Sequence, residues 1–285
     1  MKIKYLQNVL IFLTVSTIFG QNKIAYQIFD KNGKLSTYKN VLKKAAKSEV
    51  VLFGELHDNS IIHWLQLKFT KDLSEKNDLI LGAEMFESDN QNQLNQYLRG
   101  EINVRILDSA ARLWPNFKTD YKPLLDFAKD KKLNFIATNV PRRYASMVYK
   151  KDFPELEQLS KQEKLWIAPL PIAFDLNLPG YKSMLTMQGG HAGDKMPKAQ
   201  AIKDATMAHF IIKNLKAETI FIHYNGTYHS ENYEGINWYL KKQNPNLVIV
   251  TIATVEQKDI SKLEKEHYNK ANFIIVVDQD VTKTY

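Results

Sequence analysis

The sequence predicts an α/β fold built on a largely parallel sheet. Two observations carry this. Short β-branched apolar runs alternate with longer stretches of helical apolar spacing, and several of the runs stop at polar turns containing glycine or proline. With 285 residues, 44% of them hydrophobic, the chain is also long enough to bury a full core. In order, the strand-like runs are 50–53, 79–83, 134–137, 219–222, 247–253 and 273–277. Between them, 61–73, 91–98, 121–129, 201–215 and 233–243 place apolar residues at the three- and four-residue steps of an amphipathic helix.

The stretch 154–197 breaks this rhythm with Pro169, Pro171, Pro179, Gly180, Gly189, Gly190 and Gly193, and reads as irregular cover, either a lid or a helical insertion. No internal repeat, low-complexity tract or linker divides the chain, so residues 21–285 are expected to form a single domain with elaborations. Residues 1–20 read as a secretory leader. Lys2 and Lys4 precede an apolar stretch over 9–19, followed by Gly20. That stretch is shorter than the roughly 20 residues needed to span a bilayer and carries Thr14, Ser16 and Thr17, so cleavage is expected rather than anchoring.

The chain has no cysteine, which excludes disulfides, thiolate metal sites, iron–sulfur clusters, cysteine nucleophiles and lipid attachment through an N-terminal cysteine. The net charge of +8 falls to +6 without Lys2 and Lys4, and the lysines are dispersed in pairs such as Lys43-Lys44 and Lys241-Lys242. Such pairs mark solvated faces, and no nucleic-acid partner is expected. The chain also lacks the serine-hydrolase elbow, the His-Glu-x-x-His zinc helix and both glycine-rich nucleotide fingerprints.

In open parallel sheets ligands bind beyond the carboxyl ends of the strands, so the residues delivered there matter most. The first run leads into Gly54-Glu55-Leu56-His57-Asp58-Asn59, the second into Glu84, the third into Asn139-Val140-Pro141-Arg142-Arg143, and the fourth into His223-Tyr224-Asn225-Gly226-Thr227-Tyr228-His229. Glu55, His57, Glu84 and His229 are the expected working cluster, either as ligands of a divalent metal or as a general-base group. The blander reading is that Asn59 or Asp58 caps the next helix, Glu84 pairs with Arg142 or Arg143, and His223 is a core histidine. His191, in a glycine-rich loop, and the phenols of Tyr224 and Tyr228 are further ligand-binding expectations.

With these residues in place the sequence resembles the ChaN-like haem-binding lipoproteins, relatives of the Tiki proteases and erythromycin esterases. The resemblance rests on Gly54-Glu55-Leu56-His57-Asp58-Asn59 with His63 and Gln66, on Ala83-Glu84-Met85-Phe86-Glu87, on Tyr121-x-Pro123 and Asn139-x-Pro141-Arg142, on Gln200-x-x-x-Asp204-x-x-Met207-Ala208, and on Asn225-Gly226 leading to His229. It implies a three-layer α/β sandwich with helical and loop elaborations, an envelope location, and haem bound through a tyrosine with histidine nearby. Tyr121, Tyr181, Tyr224 and Tyr228 are the phenols to consider, with His63, Arg142 and His191 as further contacts. In the wider superfamily Glu55, His57, Glu84 and His229 match the active or metal site, so a hydrolase is the alternative. The family's haem sites imply a homodimer. Two departures stand out: Ile62-His63 replaces a usual histidine pair, and the lipid-bearing cysteine is missing. An exported, periplasmic or secreted protein with no membrane helix in its mature chain is therefore expected, rather than a lipoprotein.

Overall fold

A computed structural model describes residues 24–186 and 193–285. The expected leader over 1–20 and His191 both lie outside the described residues. Seven strands form one sheet: β1 (Tyr26–Asp30), β2 (Val50–Glu55), β3 (Asp78–Glu87), β4 (Asn134–Asn139), β5 (Thr219–Gly226), β6 (Ile249–Gln257) and β7 (Phe273–Asp278). Their spatial order is β1-β7-β6-β2-β5-β3-β4. Every pairing is parallel except that of β1 with β7.

The two-residue repeat of a strand sorts side chains onto opposite faces. Val51, Phe53, Leu81, Ile222 and Tyr224 point to one side, where they pack with α1 (Tyr38–Ala45), α2 (Ser60–Ser74), α3 (Gln91–Leu98), α4 (Val104–Ala110) and α5 (Lys122–Lys131). Val50, Leu52, Ile80 and Phe221 point to the other side, against α6 (Arg142–Lys151) and two later helices. After the short turns α7 (Lys161–Lys164) and α8 (Pro179–Ser183), those later helices are α9 (Lys195–Asn214) and α10 (Ile236–Gln243). The result is the three-layer α/β sandwich that the resemblance implied. Among the described residues no helix is long and apolar enough to cross a membrane.

All six expected strands are present, but β2, β3 and β5 run further than expected, through Glu55, Glu87 and Gly226, as do β4 and β6, through Asn139 and Gln257. Glycine and asparagine disfavour strands locally, yet β2 and β5 are central neighbours and stay in register through Gly54↔Asn225 and Glu55↔Gly226. The expected loop after each run is thus partly strand. The antiparallel β1 and helices α1, α4 and α6 were not foreseen, and α9 starts at Lys195 rather than 201.

The chain leaves β2 in one direction, passing β5 to reach β3, and leaves β5 in the other, passing β2 to reach β6. This reversal opens a crevice at the carboxyl ends of β2 and β5, the usual ligand position in such sheets.

Candidate functional site

Glu55 closes β2 on the α2 face and is buried to 1% exposure. Its carboxylate is held from three sides. His57 Nδ1–H donates to Oε1 at 2.8 Å, Tyr121 Oη–H donates to the same oxygen at 2.8 Å, and Gln66 Nε2–H donates to Oε2 at 2.7 Å. Burial opposes its charge, but the His57 hydrogen bond and the neighbouring His63 hold its pKa below the usual carboxylate value. Asn59 caps α2, accepting from Ile62 N, which fixes the turn that carries His57. The His57 carbonyl oxygen accepts from His63 Nε2 at 3.0 Å and from Asn116 Nδ2 at 2.8 Å. The imidazole lies edge-on to Trp114, with ring centres 4.8 Å apart. Against burial, the Glu55 bond and the charge of Glu84 hold the pKa of His57 above its ordinary value.

Glu84 leaves β3 on the opposite face. Oε2 accepts from the Gly226 backbone N–H at 2.8 Å, and Oε1 lies 3.2 Å from His229 Nε2. The other ring nitrogen of His229 donates to Asp204 Oδ1 at 2.5 Å, and Tyr181 Oη–H donates to Asp204 Oδ2 at 2.8 Å. Burial disfavours the imidazolium, but Glu84 and Asp204 on either side push the His229 pKa up to about 10. Glu84 is correspondingly held well below the carboxylate range despite its burial. Burial pushes the Asp204 carboxyl up, against the pull of His229 and Tyr181.

Gly226, on the strand between β2 and β3, brings the two halves together. A Cβ there would lie 2.8 Å from His57 Nε2 and 3.6 Å from Glu84 Oε2, so only glycine leaves room for both groups. His57 Nε2 faces the resulting cleft and has no hydrogen-bond partner among the described residues. The cleft encloses about 570 Å³ and is walled by Leu56, Met184, Tyr228 and Tyr285 above Glu55, His57, Gly226 and His229.

The four residues of the expected cluster therefore do meet, as two carboxylate–imidazole pairs, Glu55 with His57 and Glu84 with His229. Among the described residues, the donors close enough to share one ion are Glu264, Glu266 and His267, none of which lines the cleft. Tyr228 lines the cleft, and its hydroxyl donates to the Gly180 carbonyl. His63 lies behind the cleft as a support of His57. Two other expected contacts lie off the cleft lining. Tyr224 points into the core, its hydroxyl 2.6 Å from Thr70 Oγ1. Arg142 pairs with Glu87 at 2.8 Å, away from the cleft lining, and so does not pair with Glu84. His223 is a core histidine, bonded to Thr138 and Asn225, with its pKa lowered to about 4 chiefly by burial.

Asp204, Gln66 and Asn116 had been given no role. Asp204 and Gln66 are polar residues on otherwise apolar helix stripes, beside Ala201, Ile202, Ala205 and Ala208 in one case and Ile62, Leu65 and Phe69 in the other. A buried polar side chain on such a stripe needs a partner, and that signal adds to the place of both residues in the motifs of the resemblance. Asn116 lies in a loop and gave none.

A family profile described as "Haem-binding uptake, Tiki superfamily, ChaN" matches residues 41–240. The chain belongs to this family. Glu55, His57, Glu84, Asp204, Gly226 and His229 all fall inside the matched ChaN region, whereas Tyr285 falls outside it. A solved structure titled "Cofacial heme binding to ChaN of Campylobacter jejuni" superposes with a TM-score of 0.59 at 18% identity, covering 90% of this chain and 98% of that one. A Bacillus cereus protein gives 0.50 at 12% identity over 89% and 95%. Both likenesses concern the fold. Among curated proteins, Protein RETICULATA-RELATED 5, chloroplastic, of Arabidopsis thaliana is 25% identical over 195 residues, 61% of this chain. The match spans only 26% of that plant protein's length.

Proposed function

We propose that this ChaN-family chain is an exported haem-binding protein of the cell envelope, serving haem or iron acquisition, with its ligand in the cleft at the carboxyl ends of β2 and β5. The observation that carries the reading is the cleft itself: apolar and aromatic walls from Leu56, Met184, Tyr228 and Tyr285 over an imidazole floor. Such a lining suits a flat, largely apolar macrocycle with a metal at its centre. Of the four phenols singled out from the sequence, Tyr121, Tyr181 and Tyr224 are buried behind or beside the site, and Tyr228 reaches the cleft. Tyr228 would hold the iron and His57 would stand beside it, the bound group supplying redox-active iron. Burial raises the Tyr228 pKa, so ligation has to displace the hydroxyl proton now directed at Gly180. Export is supported by the leader pattern of residues 1–20. The cofacial haem of the Campylobacter protein supports a homodimer that faces two clefts together. Titration with haemin is expected to give a saturable Soret shift that Tyr228→Phe alters. A featureless titration sinks the reading.

One observation favours a second reading, a hydrolase. Glu55 fixes His57 through Nδ1 and leaves Nε2 turned to the cleft beside Glu84, the geometry of an oriented general base acting on water. Thr227, which also lines the cleft, has its Oγ1 engaged with the Thr254 backbone and is not a free nucleophile. Ester and peptide hydrolysis abolished in His57→Ala would establish this reading; no turnover by the unaltered protein would remove it.

A further inference from the structure

We propose that Tyr285 is a ligand-contacting residue of the cleft, held in place by a strap of residues 283–285 fastened to the buried carboxylate of Asp120, which contacts the two donors on the His57 carbonyl. This rests on the reading of the cleft as the ligand site. The strap is attached along its length. Lys283 pairs with Asn59 as an antiparallel bridge, and its ammonium reaches Asp58 Oδ1 at 3.3 Å and also Glu256. Thr284 N–H donates to the Asp58 carbonyl at 2.9 Å, and Thr284 Oγ1 donates to Asp120 Oδ2 at 2.7 Å.

Asp120 is 4% exposed and accepts a second bond, from Asn116 Nδ2 at 2.6 Å, with His63 Nε2 3.5 Å away. Asn116 and His63 are the two donors on the His57 carbonyl. A continuous set of buried and part-buried polar contacts thus joins the strap to the turn that carries His57, whose Nε2 faces the cleft.

Tyr285 follows immediately and lines the cleft with Glu55, Leu56, His57 and Asp58, yet remains 65% exposed. A large aromatic ring left in water beside a tethered backbone is a wall whose burial awaits a ligand. Because Lys283 and Thr284 already fix the chain, ordering costs little when a flat molecule covers the ring. The sequence motifs shared with the family do not include this segment.

The test titrates haemin into the full chain and its variants. Tyr285→Ala is expected to raise Kd about ten-fold, mainly through faster dissociation, while Tyr285→Phe, which keeps the ring, stays within about two-fold. Thr284→Val, which frees the strap from Asp120, should weaken binding about three-fold, whereas Lys283→Ala, which removes only solvent-screened pairs, changes it less than about two-fold. All four substitutions are at the surface or isosteric, and unchanged melting curves would confirm intact folding. If the unaltered protein binds haemin and Tyr285→Ala binds equally well, the inference is overturned and the haem reading stands. If the unaltered protein gives no Soret shift, the haem reading fails. The strap is then judged with the fluorescent dye 1-anilinonaphthalene-8-sulfonate, for which equal affinity of Tyr285→Ala overturns it and weakened affinity supports it.

Discussion

Gly226 and His229 show how much of the site depends on single atoms. A methyl group at 226 meets the tip of the His57 ring at 2.8 Å and 3.0 Å, while the backbone there, at φ −54° and ψ 138°, suits alanine. His57 is one-third exposed and free to swing outward, so Gly226→Ala should cost under about 1 kcal/mol of stability. The swing breaks the 2.8 Å bond to Glu55 and misplaces the imidazole, and ligand affinity or turnover should fall about ten-fold. Chemical denaturation beside a haemin titration separates the two effects; a variant that loses stability and keeps binding contradicts the geometry. At His229 the issue is charge. Removing the cation from between two buried carboxylates by His229→Gln should destabilise by about 3–5 kcal/mol near neutrality. The sign with pH follows from the shifts. The folded-state pKa of His229 is raised from 6.5 to about 10, so its contribution is full below pH 6.5 and is lost as pH rises through about 10. Glu84 is depressed from 4.5, so its share is present above pH 4.5 and is lost on acidification. Urea midpoints at pH 6 and above pH 10 should therefore show a large gap between the two proteins shrinking at the alkaline end. The charged residues of both pairs stand next to apolar runs in the sequence and could be read there. Asp204 stands 25 residues from its partner inside a helix, where its place on an apolar stripe and in the Gln200-x-x-x-Asp204 block of the resemblance marks it without showing the contact.

At the scale of elements, most of the sheet was legible because buried parallel strands are continuous apolar runs, as in Val50–Glu55 and Phe273–Asp278. What was not legible depended on long-range pairing. β1 is a short edge strand whose Tyr-Gln-Ile-Phe-Asp pattern is ordinary until β7 pairs with it. The ends of β2 and β5 remain extended only because each supplies the other's hydrogen bonds. α6 was hidden by Pro141-Arg142-Arg143, which resembles a turn. In the folded chain proline precedes the first helical turn, where its missing N–H costs nothing, and the arginines reach back to β3 and the turn after it. Glu87 receives Arg142 and Arg112, and Asp89 receives Arg143 and Arg112, so the arginines bind α6 and the loop after α4 to the end of β3. Arg142 is 66% exposed and shares Glu87 with Arg112, so solvent screening leaves Arg142→Ala with a cost under about 1 kcal/mol. Haemin affinity should stay within about two-fold of the unaltered protein, since Arg142 does not line the cleft. A large loss of affinity would return Arg142 to the binding site that the resemblance implied for it.

On the scale of the whole molecule, the cleft is assembled from parts far apart in the chain: 55–58 at the end of β2, Met184 after α8, Gln200 in α9, 226–229 at the end of β5, and Tyr285. No one of these segments forms a site alone, and unfolding any of them removes it. A ligand held there binds the folded state in preference to the unfolded one, and mass action then stabilises the entire fold. At a free haemin concentration one hundred times Kd the gain is about 2.7 kcal/mol. For a protein of this size that corresponds to a rise in melting temperature of about 5–11 °C. The rise should grow with the logarithm of haemin concentration once the site is saturated. In Tyr285→Ala the same concentration series should give a smaller shift, displaced by the ratio of the two dissociation constants. A ligand bound to a peripheral surface patch would also shift melting, but by equal amounts in the two proteins. Scanning calorimetry of both across one haemin series therefore distinguishes a ligand in the assembled cleft from one that only adheres to the surface.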